Sequence, residues 1–216
     1  TGHAKLHGAL DVADDGGKTS ARLAVNGDLE TMHLDTNARL TGDWEKPSTD
    51  DLRIDSTIEA PDGATLVKLL SLDRIVTAGK GPGQFKLLVA GPVDREMQIE
   101  LRLRASNLSA QSIGRGTLSF DKGIKMSSTL DVSNADLKPL RPGAKSDALP
   151  FSGNSRVTID NGKVSADDIV ARLGGASIRG KLSVDGGTPR RIDGALEAAN
   201  VDGAGLMSAA FGLSRR

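Results

Sequence analysis

Apolar and polar residues alternate with a period of two along most of the chain. In Met97-Gln98-Ile99-Glu100-Leu101-Arg102-Leu103-Arg104-Ala105 every odd position is apolar and every even one is charged or an amide. That is the pattern of an antiparallel strand with one buried and one wet face. The same alternation sets Met32, Leu34, Ala38 and Leu40 against His33, Asp35, Asn37 and Arg39, and Leu52, Ile54 and Ile58 against Arg53, Asp55 and Glu59. It returns in Ile124, Met126, Leu130 and Val132 against Lys125, Ser127, Thr129 and Asp131. A further copy sets Ala176, Ile178, Leu182 and Val184 against Ser177, Arg179, Lys181 and Asp185. Shorter runs lie at 6–12, 21–25, 85–89, 117–121, 155–160, 169–173 and 192–198, so the pattern predicts about twelve strands. Asp15-Gly16-Gly17, Asn26-Gly27-Asp28, Asn161-Gly162 and Asp185-Gly186-Gly187 carry the residues that tolerate positive φ in tight hairpins. Sequential strands are therefore expected to pair as a meander.

Lining up the strand ends exposes an internal repeat. Ile58-Glu59-Ala60-Pro61-Asp62, Leu130 through Asp136, and Leu196 through Asp202 each run from a strand into an Asp followed by Leu-rich sequence. These Asp residues lie 74 and 66 positions apart, which implies one repeat-built domain over 1–216 with units near 1–75, 76–145 and 146–216. After Asp62 and Asp202 the apolar period lengthens toward 3.6, and either carboxylate is a suitable N-cap. Short helices are expected near 63–72 and 203–213. In the middle copy Pro139, Pro142 and Gly143 limit the corresponding segment to one turn or none.

A dozen one-faced strands with so little helix to cover them leave one continuous apolar surface to be hidden. The fold class that follows is all-β: a long, curved, mainly antiparallel sheet with two or three short helices. It either closes as a dry barrel or sandwich or folds over as an open groove. Four Phe and one Trp are the aromatic complement, so the inward positions form an aliphatic lining, which leans toward the groove. Ile99, Leu101, Leu103, Ile124, Met126, Leu130, Ile178, Leu182 and Val184 are placed on that shared surface and are the candidate lipid-contacting residues. Arg102, Lys125, Arg179 and Lys181 are placed outside, with inside and outside alternating without exception.

Charge and composition narrow the chemistry. Lys plus Arg number 28 and Asp plus Glu number 28, so no long-range field draws the chain to nucleic acid. Cysteine is absent, which removes thiol catalysis, disulfides and cysteine-rich metal sites. Glycine supplies 26 of 216 residues, nearly twice the usual share of about 7%, in keeping with many tight turns. No apolar run approaches the roughly 20 residues of a membrane-spanning helix, no signal segment opens the chain, and residue 1 is Thr. The sequence reads as a piece of a longer protein.

Catalytic constellations are poor. His3, His7 and His33 are the histidines; on a strand the first two would lie about 13 Å apart, as solvated side chains and not as metal ligands. Ala110-Gln111-Ser112-Ile113-Gly114 places a Gly as a nucleophile elbow does, but a strand and not a helix is expected next, and no His follows residue 33. Gly79-Lys80-Gly81-Pro82-Gly83 lacks the Lys-Ser/Thr and the helix start of a phosphate cradle. It reads as a hairpin or repeat linker. The pairs Asp14-Asp15, Asp50-Asp51 and Asp167-Asp168 lack the ligand ladder of a calcium loop. No catalytic residue, metal or cofactor is expected, and the chain reads as a non-enzyme.

Asp168-Ile169-Val170-Ala171-Arg172-Leu173-Gly174-Gly175-Ala176-Ser177-Ile178-Arg179-Gly180-Lys181-Leu182-Ser183-Val184, followed by 192–202 ending in Asn200-Val201-Asp202, resembles the C-terminal region of the AsmA family. The shared pattern is a strand, a Gly-Gly hairpin, a second strand with a central Gly, a third strand, and a lead into a short helix. The likeness is strongest over 150–213 and architectural before residue 100. It implies a periplasmic domain of a Gram-negative envelope protein whose inner-membrane anchor lies outside this sequence. It further implies a β-groove that holds or conducts phospholipid acyl chains in outer-membrane biogenesis. The alternative is a structural module with a closed, dry core that docks outer-membrane assembly proteins by strand addition.

Overall fold

The computed structural model describes residues 4–15, 18–43, 46–93, 95–119, 123–140, 148–187 and 191–199. Twelve strands are present among them: β1 (Ala4–Asp15), β2 (Lys18–Leu29), β3 (Met32–Asp43), β4 (Lys46–Ala60), β5 (Gly83–Pro92), β6 (Met97–Ala105), β7 (Leu108–Ser119), β8 (Gly123–Asp136), β9 (Pro150–Asp160), β10 (Lys163–Leu173), β11 (Ala176–Asp185) and β12 (Arg191–Ala199). Each pairs antiparallel with the next, giving one sheet in the order β1 to β12. The sheet is not closed: β1 and β12 stand at opposite edges and have no strand partner on their outer sides among the described residues. At about 4.8 Å per strand, the sheet is roughly 50 Å wide. The meander and the all-β class are as the alternation predicts.

Three local expectations are corrected. The expected strand at 117–121 falls at the end of β7, which runs from Leu108 to Ser119, while 120 and 121 lie outside the described residues. Its inward positions are Ala110, Ser112, Gly114 and Gly116, and its outward positions include Ile113, so hydrophobic alternation is invisible there. The expected turn at Asn26-Gly27-Asp28 lies inside β2, and the chain reverses at Glu30-Thr31 instead. Gly27 has φ +147°, and a Cβ there would collide with the Lys5 carbonyl of β1, so the glycine serves a close approach between strands and not a turn. Alternation is not unbroken either. β-bulges shift the register between Val132 and Ala135 and between Ala166 and Ile169. The inward set thereby switches from even to odd numbers within β8 and again within β10. Asn134 and Asp168, at φ 55° and 53°, occupy the positive-φ bulge positions that short polar residues tolerate.

Helix α1 (Gly63–Leu69) follows Asp62, whose carboxylate accepts the Thr65 amide at 2.7 Å and the Thr65 hydroxyl at 2.9 Å. These bonds, the amide first, hold the Asp62 carboxyl below its usual range. The middle copy makes a single 3₁₀ turn, Lys138–Leu140, where Asp136 accepts the amides of Lys138 at 3.1 Å and Leu149 at 2.8 Å. The expected helix at 203–213 lies outside the described residues. Strands thus fall in sets of four, β1–β4, β5–β8 and β9–β12. β4 and β8 lead into these Asp-capped turns, a repeat-like arrangement.

α1 and the segment after it cover one end of the apolar face. Leu66 and Val67 are fully buried against Met32, Ala60, Leu103, Ala105, Leu108 and Ala135, with Phe85, Val132 and Phe151 around them. Backbone bonds tie the cap down: the Gly63 amide to the Gly81 carbonyl at 2.7 Å, Ser106 to Pro82 at 3.0 Å, and Thr77 to Asp136 at 2.8 Å. The glycine-rich stretch 79–83 is the linker from the cap into β5, as the sequence suggests.

The other face is polar. Arg22, Arg39 and Arg53 stand directly opposite one another on β2, β3 and β4, all exposed, and none forms an ion pair with a described residue. Like charges in direct opposition are destabilising, while the diagonal neighbours Asp51 and Asp55 offset part of the repulsion. Arg39→Glu is therefore expected to stabilise the fold by about 0.5 kcal/mol at low salt, a gain that fades above about 0.5 M salt. Urea unfolding at two salt concentrations measures it; equal stability of the two proteins at low salt would count against this register.

Candidate functional site

The pairing brings all nine candidate residues to one face. Ile99 and Leu101 of β6 oppose Gly114 and Ser112 of β7, and these in turn oppose Ser128 and Leu130 of β8. Met126 leads through Ile159 and Val164 to Val184 of β11, which shares its face with Leu182 and Ile178. Leu103 lies buried under the cap, Ile124 is 53% exposed, and the other seven are half-buried. Arg102, Lys125, Arg179 and Lys181 lie on the opposite face, exposed. Toward the edges the apolar face is open: Leu6, Leu10 and Val12 on β1 and Ile192 and Leu196 on β12 are between 47% and 69% exposed. Contiguous exposed apolar surface on this scale marks a binding surface in folded proteins.

The middle of this face is lower than its surroundings because its side chains are small. Ser112, Gly114 and Gly116 of β7 face inward, next to Ser128 of β8 and, one strand on, Ser155 of β9. A Cβ at Gly114 would sit 2.5 Å from the Ser128 Cβ, so the bare glycine is what lets Ser128 lean over β7. Ile99, Leu101, Met126, Leu130 and Val157 rise around this floor and shelter it. Ser128 is 5% exposed and Ser112 is 9% exposed, yet neither hydroxyl has a hydrogen-bond partner among the described residues. Each buried unpaired hydroxyl costs on the order of 1–3 kcal/mol. Elsewhere on the same face the inward hydroxyls of Thr36 and Ser56 satisfy each other at 2.7 Å. Ser112 belongs to the motif weighed above as a nucleophile elbow, but it sits mid-strand in β7, with no sharp turn around it. The pattern offers one signal for the pair: serines at positions where the alternation calls for aliphatic residues.

No family model, no curated protein and no solved structure matches this chain. Its functional reading rests on the geometry of the apolar face.

Beside the cap, that face ends in a pocket of about 620 Å³ lined by Ala4, Leu29, Met32 and Leu69, with Glu30, Thr31, Thr65 and Lys68 completing it. Apolar surface thus meets charged and hydroxylated groups at one end of the sheet. The remaining chemistry is dispersed. His7 projects from the polar face of β1 and is exposed, while His3 lies outside the described residues. His33 pairs across the β2–β3 hairpin with Asp28 at 3.0 Å, a hydrogen bond that raises its imidazole above the usual value. No group of three or more His, Asp or Glu among the described residues is arranged to hold a metal ion. Asp168 occupies its bulge 3.4 Å from Arg156 on the polar face.

Proposed function

We propose that the open apolar face of the sheet holds lipid, with acyl chains lying on Ile99, Leu101, Met126, Leu130, Leu182 and Val184. The single observation behind this reading is that the aliphatic face runs across all twelve strands while α1 and its linker cover one end of it. A face that leaves so much hydrocarbon in contact with water gains about 25 cal/mol for each Å² an occupant covers. Acyl chains suit a surface that is long and lined mainly by aliphatic side chains. Together with the resemblance to the AsmA family, this supports a periplasmic role in carrying phospholipid along the sheet during outer-membrane biogenesis.

A second reading has its own observation. Among the described residues β1 and β12 are unpaired edges, and every residue of β12 is exposed, which suits strand addition by an outer-membrane assembly partner. One experiment separates the two: mass spectrometry of the purified chain, both on an organic extract and in the native state. Copurified phospholipid is the expected result. A lipid-free chain that instead carries a stoichiometric protein partner would overturn the lipid reading in favour of the edges.

A further inference from the structure

We propose that Ser112 and Ser128 form a hydrogen-bonding seat for the carbonyl oxygen of an acyl ester, so that the apolar face selects esterified lipid over plain hydrocarbon. The inference rests on the lipid reading and adds to it the chemical class of the ligand.

The two serines are diagonal neighbours, since Ser112 opposes Leu130 and Ser128 opposes Gly114. Diagonal side chains on one face lie roughly 7 Å apart, which leaves room for one oxygen atom between two hydroxyls. Both serines are more than nine-tenths buried, and both lack a partner among the described residues, unlike the Thr36 and Ser56 pair on the same face. Buried polar groups are almost always satisfied, so an orphaned pair in an open, aliphatic surface points to a ligand that completes it.

The surroundings choose the ligand's chemistry. Two hydroxyls offer two protons, and a carbonyl oxygen offers two lone pairs. A free carboxylate seated on these two hydroxyls, which unlike the half-exposed Leu101 are more than nine-tenths buried, would lose its water there with the cations Arg102, Arg115 and Lys125 all on the opposite face. A neutral ester carbonyl brings the same acceptor without the charge, and its acyl chain continues onto the flanking aliphatic residues.

The test compares two probes that differ in that one group, 1-decanoylglycerol and its ether analogue 1-O-decylglycerol, each titrated calorimetrically below its micelle concentration. The wild-type chain is expected to bind the ester about 5–100-fold more tightly, the effect of two added hydrogen bonds. In the double variant Ser112→Ala, Ser128→Ala the two probes are expected to bind alike, at the ether's level. The infrared carbonyl stretch of the bound ester should fall to lower wavenumber in the wild type and not in the variant, a readout on the wild type that survives even if the variant folds poorly. Without ligand, the variant's melting temperature should equal or exceed the wild type's, because the hydroxyls lose no internal bond; a large drop would show that they are structurally engaged and overturn the seat. Equal binding of both probes to the wild type would overturn the serine seat and leave the lipid reading standing. Binding of neither probe would remove both.

Discussion

Leu101→Asp is expected to leave the sheet folded and to weaken lipid capture on the order of 100-fold. Leu101 lies half-buried at the centre of the apolar face, between Leu87 of β5 and Ser112 of β7. A carboxylate there displaces three or four methylenes of an acyl chain at about 0.8 kcal/mol each, close to 3 kcal/mol in all. Water reaches the new charge on an open face, so the desolvation that would unfold a closed core is not incurred. The melting temperature should move by only a few degrees. Arg102→Gln, one residue along and on the opposite face, removes the ion pair with Glu100 and should change lipid binding by less than about twofold, because exposed pairs contribute little. Thermal melts and lipid pull-down on these two variants decide the matter. An unfolded Leu101→Asp chain would mean that the face is buried in solution and would sink the open-face reading.

Leu66→Ala is expected to cost about 2–5 kcal/mol, the range for truncating a fully buried leucine. Leu66 has no exposed surface and sits at the centre of the cap's packing. A seven-residue helix has no independent stability, so α1 should detach and not merely repack. Hydrogen exchange would then show lost protection at the amides of Gly63, Thr77 and Ser106, whose partners are the Gly81, Asp136 and Pro82 carbonyls. Strands β10 and β11, which contribute no residue to the packing around Leu66, should keep theirs. Uniform loss across the whole sheet would show that the cap and the meander unfold as one unit.

The strands were legible because a sheet with one wet face writes its geometry into the sequence at every second residue. β6 is the clearest case, with each apolar residue inward and each charge outward. Legibility failed where the inward residues are small. β7 carries Ser112, Gly114 and Gly116 inward and Ile113 outward, so hydropathy alone reverses or erases its faces. The bulges were half-legible: apolar positions change from even to odd between Val132 and Ala135, and the bulge is the physical way to keep both on one face. Gly27 misleads for a related reason, since a glycine flanked by Asn and Asp has the composition of a turn whether it reverses the chain or admits a neighbouring carbonyl.

The candidate face was readable as a set, and its state was not. Period-two alternation by itself determined that Ile99, Leu101, Met126, Leu130, Leu182 and Val184 share a side, and that Asp62 caps a helix, because both follow from local geometry. Whether that shared side is sealed depends on which strands meet over long separations in the chain. Closing or not closing β1 against β12 changes no local preference. Only the tertiary structure decided that the sheet stays open, that the cap covers one end of it, and that Ser112 and Ser128 come together as an unsatisfied pair. Those outcomes turn on packing between residues far apart in sequence, where hydropathy at a single position carries no information about what lies across from it.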